Sequence, residues 1–352
     1  MLVSTRIWPA AIKVLGSIGL AVVPCSGVTA QDLADFFRKQ PFQIVVGSAA
    51  GGSYDFYSRA LARHMGSHLP GQPGIVVQNM PGGGGYLAAN YIYSAAPKDG
   101  SVIATFSRSV PFQPLYDRTG VGFDPLRLAW IGSPSNEASV ALAWATTPVK
   151  TFADLRNRGM TVASTGPGTD SSVYARVVTN VFKLNNRIVT GYRGSGDMLL
   201  AAERGEVEGV IGVSWSSIWP AKKDAVEAGR INFLAQLALT PKGDRLAGVP
   251  LIVDLTQNES DKRLLEIVFA RQTIAFPFCA PPEVPPDRLK AIRDAFARTL
   301  ADPQFLADAE KANMSIGPVS GDEMLAILKR VYASEPALVE RVKAVLVEPA
   351  GK

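Results

Sequence analysis

Two glycine-rich turns hold the residues best suited to chemistry. Gly47-Ser48-Ala49-Ala50-Gly51-Gly52-Ser53-Tyr54-Asp55 follows the apolar run 42–46, and Ser164-Thr165-Gly166-Pro167-Gly168-Thr169-Asp170-Ser171 follows 160–163. Each turn precedes a helical pattern, so it offers free backbone N–H groups where the helix dipole also favours negative charge. One such turn in each half of the chain predicts a cleft that holds a small anion from both sides. Ligands of open α/β sheets bind beyond the carboxyl ends of the strands. That rule places Ser107-Arg108-Ser109 and Tyr192-Arg193-Gly194-Ser195 on the same rim. Arg108 is the clearest partner for a carboxylate, because its planar fork matches that group bidentately; a surface or interlobe salt bridge is the alternative. Asp55 and Asp170 could select an amine, and helix capping explains them equally well.

Other chemistries find less support. Gly166-Pro167-Gly168 resembles the start of a dinucleotide fingerprint, but Ser171 stands at the third glycine position and no carboxylate lies near 187–188. Neither G-x-x-x-x-G-K-[ST] nor G-x-S-x-G occurs. Gly82–Gly85 permits close backbone approach or simply a flexible loop. His64 and His68, the only histidines, stand four apart without a further ligand nearby, which fits a frayed helix end better than a zinc site. Cys279, within Phe276-Pro277-Phe278-Cys279-Ala280, reads as a small buried hydrophobe. No complete catalytic set accompanies the turns. Neither a cofactor nor a metal is expected, and binding without catalysis is the expectation.

The elements that must position the turns follow from hydrophobic patterning. Strands are expected at 42–46, 74–78, 101–106, 161–164, 187–192, 208–213, 230–237 and 272–278. Between the first two, Phe56/Tyr57, Ala60/Leu61 and His64/Met65 recur at helical spacing, and Leu289, Ile292, Phe296 and Leu300 form a similar stripe after the prolines at 281–286. This alternation predicts an α/β fold, and the continuous apolar character of most strands predicts parallel sheets covered on both faces. Segments 124–132 and 240–258 look like crossings between two lobes.

The N-terminus resembles an export leader. Arg6 and Lys13 precede the apolar run 14–23, and Val28-Thr29-Ala30 forms a small-residue cleavage site. Val23-Pro24 before Cys25 argues against a lipoprotein signal. The mature chain then starts at Gln31 and keeps only Cys279, so its stability rests on a core and not on an intramolecular disulfide. Removing Arg6 and Lys13 from the formal +5 leaves +3, without the basic cluster of a nucleic-acid binder.

Five segments taken in order resemble a known family. They are Ile44–Val46 with Ala49-Ala50-Gly51-Gly52-Ser53 and Asp55; Val76-Val77-Gln78-Asn79-Met80-Pro81 with the four glycines; Ala95-Ala96-Pro97-Lys98-Asp99-Gly100; Ser164–Thr169; and Tyr192-Arg193-Gly194-Ser195. Together they are similar to the Bug-type extracytoplasmic receptors of tripartite tricarboxylate transporters. The resemblance implies a two-lobed Venus-flytrap (type II periplasmic-binding-protein) architecture with parallel-dominated sheets. It divides the chain into a signal peptide (1–30), lobe 1 (31–133 and 256–352) and lobe 2 (134–255). It implies that Ser48, Ala49, Gly52, Ser53 and Asp55 from the first turn, and Ser164, Thr165, Gly166, Gly168 and Thr169 from the second, hold a carboxylate.

This chain departs from the family at several points. Gly47-Ser48 replaces a usual Pro-Phe, Ser172 stands near a common His, Pro250–Asp254 blurs a Pro-Thr-x-x-Glu stretch, and Arg108 adds charge to an ordinarily uncharged loop. That added arginine suggests a dicarboxylate or an aromatic carboxylate. The expected protein is a monomeric periplasmic receptor whose partners are this ligand and membrane transporter subunits, with no role in nucleic-acid binding. An exported enzyme acting on a carboxylated metabolite and a sensory receptor for one are the alternatives.

Overall fold

The computed structural model describes residues 1–2, 30–166, 169–243 and 246–346. The export leader therefore lies almost wholly outside the described residues, as does Gly168. Eleven strands occur among the described residues: β1 (Phe42–Val46), β2 (Ile75–Asn79), β3 (Val102–Thr105), β4 (Ala129–Ser133), β5 (Ser139–Trp144), β6 (Thr161–Ser164), β7 (Arg187–Thr190), β8 (Gly209–Ser214), β9 (Ile231–Leu237), β10 (Phe278–Ala280) and β11 (Val319–Ser320). The helices before the first crossing are α1 (Ala30–Arg38), α2 (Ser53–Met65), α3 (Tyr86–Ser94) and α4 (Gln113–Tyr116). Next come α5 (Phe152–Arg158), α6 (Asp170–Val181), α7 (Ser195–Glu203) and α8 (Trp215–Glu227). The C-terminal part adds α9 (Glu259–Thr273), α10 (Pro286–Ala301), α11 (Pro303–Lys311), α12 (Gly321–Tyr332) and α13 (Pro336–Leu346).

These strands build two sheets, in the orders β11-β4-β10-β3-β1-β2 and β7-β6-β8-β5-β9. β1 runs parallel to β2 and β3, and β6 runs parallel to β7 and β8. β10 joins β3 and β4 antiparallel, as β5 does β8 and β9, so both sheets are mixed, not parallel-dominated. Every parallel strand pair includes β1 or β6, the strands that feed the glycine turns. There Ile44, Val45, Val46, Val162 and Ala163 are buried on both sheet faces, as the unbroken apolar runs require.

The expected crossing at 124–132 is corrected: its second half is β4, with Trp130 fully buried and paired to β10. The chain passes between the sheets at 134–138. It returns between β9 and β10, and the strand expected over 272–278 begins only at Phe278, because Gln272 belongs to the last turn of α9. β5 was not expected. Its Val140, Leu142 and Trp144 pack into one core and its Ala141 and Ala143 into another, as suits an interior strand between β8 and β9. In α2 the inward stripe is Tyr57, Ala60, Leu61 and Met65, while Phe56 is exposed. α13 begins at Pro336 and packs on α6 and α9, which leaves Ser171–Val178 of α6 buried between sheet and helices.

Candidate functional site

The first turn is shaped by glycine and held by one carboxylate. A Cβ at Gly47 would approach Phe106 Cβ to 3.0 Å and Gly85 Cα to 3.2 Å, so only glycine lets this loop close on its neighbour. Gly51 adopts φ +84°, a left-handed conformation that glycine enters without strain. Asp55, buried in the first turn of α2, accepts hydrogen bonds from Gly51 N (2.9 Å), Asn79 Nδ2 (2.9 Å) and Arg59 Nε (2.9 Å). Asn79 Nδ2 also reaches Ser48 O at 3.0 Å. Hydrogen bonds from Arg59 dominate the burial penalty and hold the Asp55 carboxyl at about 2. Asp55 therefore organises the loop, and its carboxylate is fully engaged within the protein. The N-cap of α2, Gly52, makes no side-chain cap. Ala49, Gly52 and Ser53 are exposed, and Ser48 Oγ is buried without a hydrogen-bond partner.

The second turn closes on its own hydroxyls. Thr169 caps α6 by accepting from Ser172 N (3.4 Å) and donates to Gly166 O (2.7 Å), and Thr165 Oγ1 lies 2.8 Å from Thr169 Oγ1. Ser171 Oγ accepts from Thr165 N at 3.1 Å. Ser164 Oγ, at the end of β6, is buried and unpartnered, and so is Thr105 Oγ1 at the end of β3. Tyr192 N donates to Ser164 O at 3.3 Å, while the Tyr192 side chain packs on the core of the second sheet.

Arg108 joins the two turns. Its backbone N donates to Tyr54 Oη (2.9 Å), one residue beyond Ser53, and its guanidinium pairs with Asp170 at the start of α6. Ser107, beside it, shares a 2.9 Å hydroxyl contact with Ser109. An anion of the protein, Asp170, therefore faces Arg108. Arg271 Nη2, from the last turn of α9, stands 3.6 Å from the other Asp170 oxygen. Burial raises the pKa of Asp170, but the charges of Arg108 and Arg271 outweigh it and leave the carboxyl below its ordinary value.

Sequence reasoning missed the residues behind this pair. Gln272 is wholly buried and donates to Ser139 Oγ (2.8 Å) and Tyr174 Oη (3.0 Å), and Arg271 Nε donates to Tyr174 Oη (2.8 Å). Glu137, in the first crossing, is buried and accepts from Ser216 Oγ at 3.1 Å; burial raises its pKa. The available signal was a polar Arg-Gln pair closing a helix whose inner face is otherwise Leu264, Leu265, Ile267, Val268 and Phe269. His64 and His68 face Asp308 (3.2 Å) and Asp302 (2.9 Å), away from both turns. Among the described residues no group of His, Cys, Asp and Glu could hold a metal ion. A separate groove of about 960 Å³ lies between α9, α12 and α13 and shares no residue with the turns. Among the described residues no helix is long and apolar enough to cross a membrane.

The chain is 26% identical over 334 residues to a protein encoded in the gbd 5′ region of Cupriavidus necator, covering 93% of each. Its fold is similar to a TctC solute-binding protein from Polaromonas (TM-score 0.67, 18% identity, 86% of this chain and 98% of that one). It is also similar to an R. palustris protein solved with adipate (TM-score 0.57, 20% identity, 87% and 97%). Both likenesses support the two-lobed architecture. The family model of tripartite tricarboxylate transporter family receptors matches residues 57–342, so the chain belongs to that family.

Proposed function

We propose that this receptor captures a small organic carboxylate between its two sheets in the periplasm and delivers it to the membrane subunits of a tripartite transporter. The observation that carries the proposal is the meeting of the turns. Arg108, just beyond β3 of the first sheet, reaches Asp170 of the second turn, and three hydroxyls in the turns or at the ends of strands (Ser48, Thr105 and Ser164) are buried and unpartnered. The adipate held by the R. palustris relative supports the chemical class. In this proposal the backbone amides and hydroxyls of Ser48, Ala49, Gly52, Ser53, Ser164, Thr165, Gly166, Gly168 and Thr169 supply the donors, with Asp55 and Tyr192 supporting them. Lobe 1 comprises 31–133 and 256–352, lobe 2 comprises 134–255, the export leader is removed after Ala30, and the mature protein works as a monomer.

The mechanism is closure without turnover. Only the closed form lets donors of both lobes meet one ligand, so the ligand shifts the equilibrium toward it. Hinge strain falls on the crossing 134–138 and on the return between β9 and β10. A thermal-shift screen of linear and aromatic carboxylates tests the proposal. A true ligand at 100 times its Kd stabilises the folded state by about 2.7 kcal/mol. The matching diester should do far less, and equal shifts from acid and ester would overturn the anion reading.

A further inference from the structure

We propose that Arg271, not Arg108, takes a second carboxylate of the ligand, and that Arg271 sets a preference for dicarboxylates. This deepens the receptor proposal above and rests on it. A single carboxylate, Asp170, faces two guanidiniums that come from different elements. Arg108 is hydrogen-bonded to Asp170 Oδ2, and its side chain is only 13% exposed. Arg271 makes no such bond. Its side chain is 14% exposed, its Nη2 is within ion-pair reach of Asp170 at 3.6 Å, and that buried nitrogen makes no hydrogen bond. The Arg271 head group is otherwise well fixed, with the guanidinium carbon 4.6 Å from the Tyr174 ring centroid and Nε bonded to Tyr174 Oη.

The neighbouring side chain shares the buried, polar surroundings of Arg271. Gln272 is 0% exposed, and its Nε2 is committed to Ser139 and Tyr174 while its Oε1 has no partner. A buried cationic donor that makes no hydrogen bond costs stability unless an anion meets it, and Arg271 Nη2 is such a donor. Charge points the same way. Glu137 and Lys242 face the same cluster and offset each other when both are ionised, which leaves two arginines against Asp170. A ligand gripped at one end by the glycine turns would place its second carboxylate on Arg271 Nη2, a charge-assisted bond in a weakly screened site.

The test compares linear dicarboxylates from succinate to adipate with their monomethyl esters, by calorimetry on wild-type protein, Arg271→Gln and Arg271→Lys. The wild type should favour the best diacid over its monoester by about tenfold or more, as the loss of one charge-assisted bond implies. Arg271→Gln should bind the two within about threefold by losing diacid affinity, while Arg271→Lys should recover part of the preference. A wild type that binds diacid and monoester alike overturns the Arg271 assignment and leaves the receptor proposal standing. So does an Arg271→Gln variant that retains the full preference. Failure of the wild type to bind any of these diacids also overturns the Arg271 assignment, and failure to bind every linear and aromatic carboxylate of the thermal-shift screen overturns the receptor proposal itself.

Discussion

Asp170 should matter more to stability than the arginine that pairs with it. Replacing Asp170 by Asn strands two mostly buried guanidiniums, Arg108 and Arg271 (13% and 14% exposed), without an anion. Removing one partner of a buried ion pair in this way costs about 3–5 kcal/mol. Arg108→Gln is gentler, because Asp170 keeps Arg271 at 3.6 Å and is itself 28% exposed. The loss is then one charge-assisted hydrogen bond, about 1.5–3 kcal/mol. Since the pair joins the two sheets, part of the Asp170→Asn penalty is relieved by opening, which lets the arginines hydrate. Urea unfolding of the wild type, both single variants and the double variant measures the costs and their coupling. Small-angle scattering of the same four proteins reports the opening. The account requires Asp170→Asn to be the more destabilised and the more expanded, with positive coupling between the two sites. An Arg108→Gln variant as unstable as Asp170→Asn, or additive effects, would refute the reasoning.

Three further outcomes follow. The folded-state pKa of Asp170 is depressed, so its stabilising contribution is complete above the ordinary Asp value of about 3.9 and is lost as pH falls through the lower folded value. The radius of gyration should therefore hold from pH 7 to 5 and rise only below about pH 4; expansion already at pH 6 would contradict this assignment. Gly212 has φ +99°, and a Cβ there would sit 2.8 Å from Asp170 O, so Gly212→Ala should lower both the melting temperature and carboxylate affinity by displacing the start of α6. Unchanged affinity would show that the α6 terminus is not part of the site. Cys279 is fully buried and burial raises its thiol pKa, so a thiol reagent should label it only after denaturation. Prompt labelling of native protein would place β10 near solvent.

How legible the molecule was in its sequence depended on how local each signal is. β1 and β6 were read to the residue, because doubly covered parallel strands are unbroken apolar runs and each ends at a glycine turn. The turns were found for the same reason. β5 escaped because every second residue facing one core is alanine, a poor strand former, and only its position between β8 and β9 makes it a strand. β4 was taken for a crossing because its partners, β10 and β11, come from more than a hundred residues away. The site divides along the same line. The backbone of each turn was legible, whereas the pairing of Arg108 with Asp170 links residues 62 apart and depends on how the two sheets face each other. Asp55 and Asp170 could both be read as caps or as ligands. Three donors on Asp55 make it a loop support, and two arginines on Asp170 make it the join between sheets. Gln272 and Arg271 carried only the faint signal of polarity at the end of an apolar helix.

The central claim is that one carboxylate is gripped by both turns at once. A crystal structure of the protein with the carboxylate that most raises its melting temperature tests this most directly. The account predicts carboxylate oxygens within hydrogen-bond distance of donors in 48–53 and in 164–169 of the same molecule. A ligand seated in the groove between α9, α12 and α13, or held by one turn alone, would contradict it.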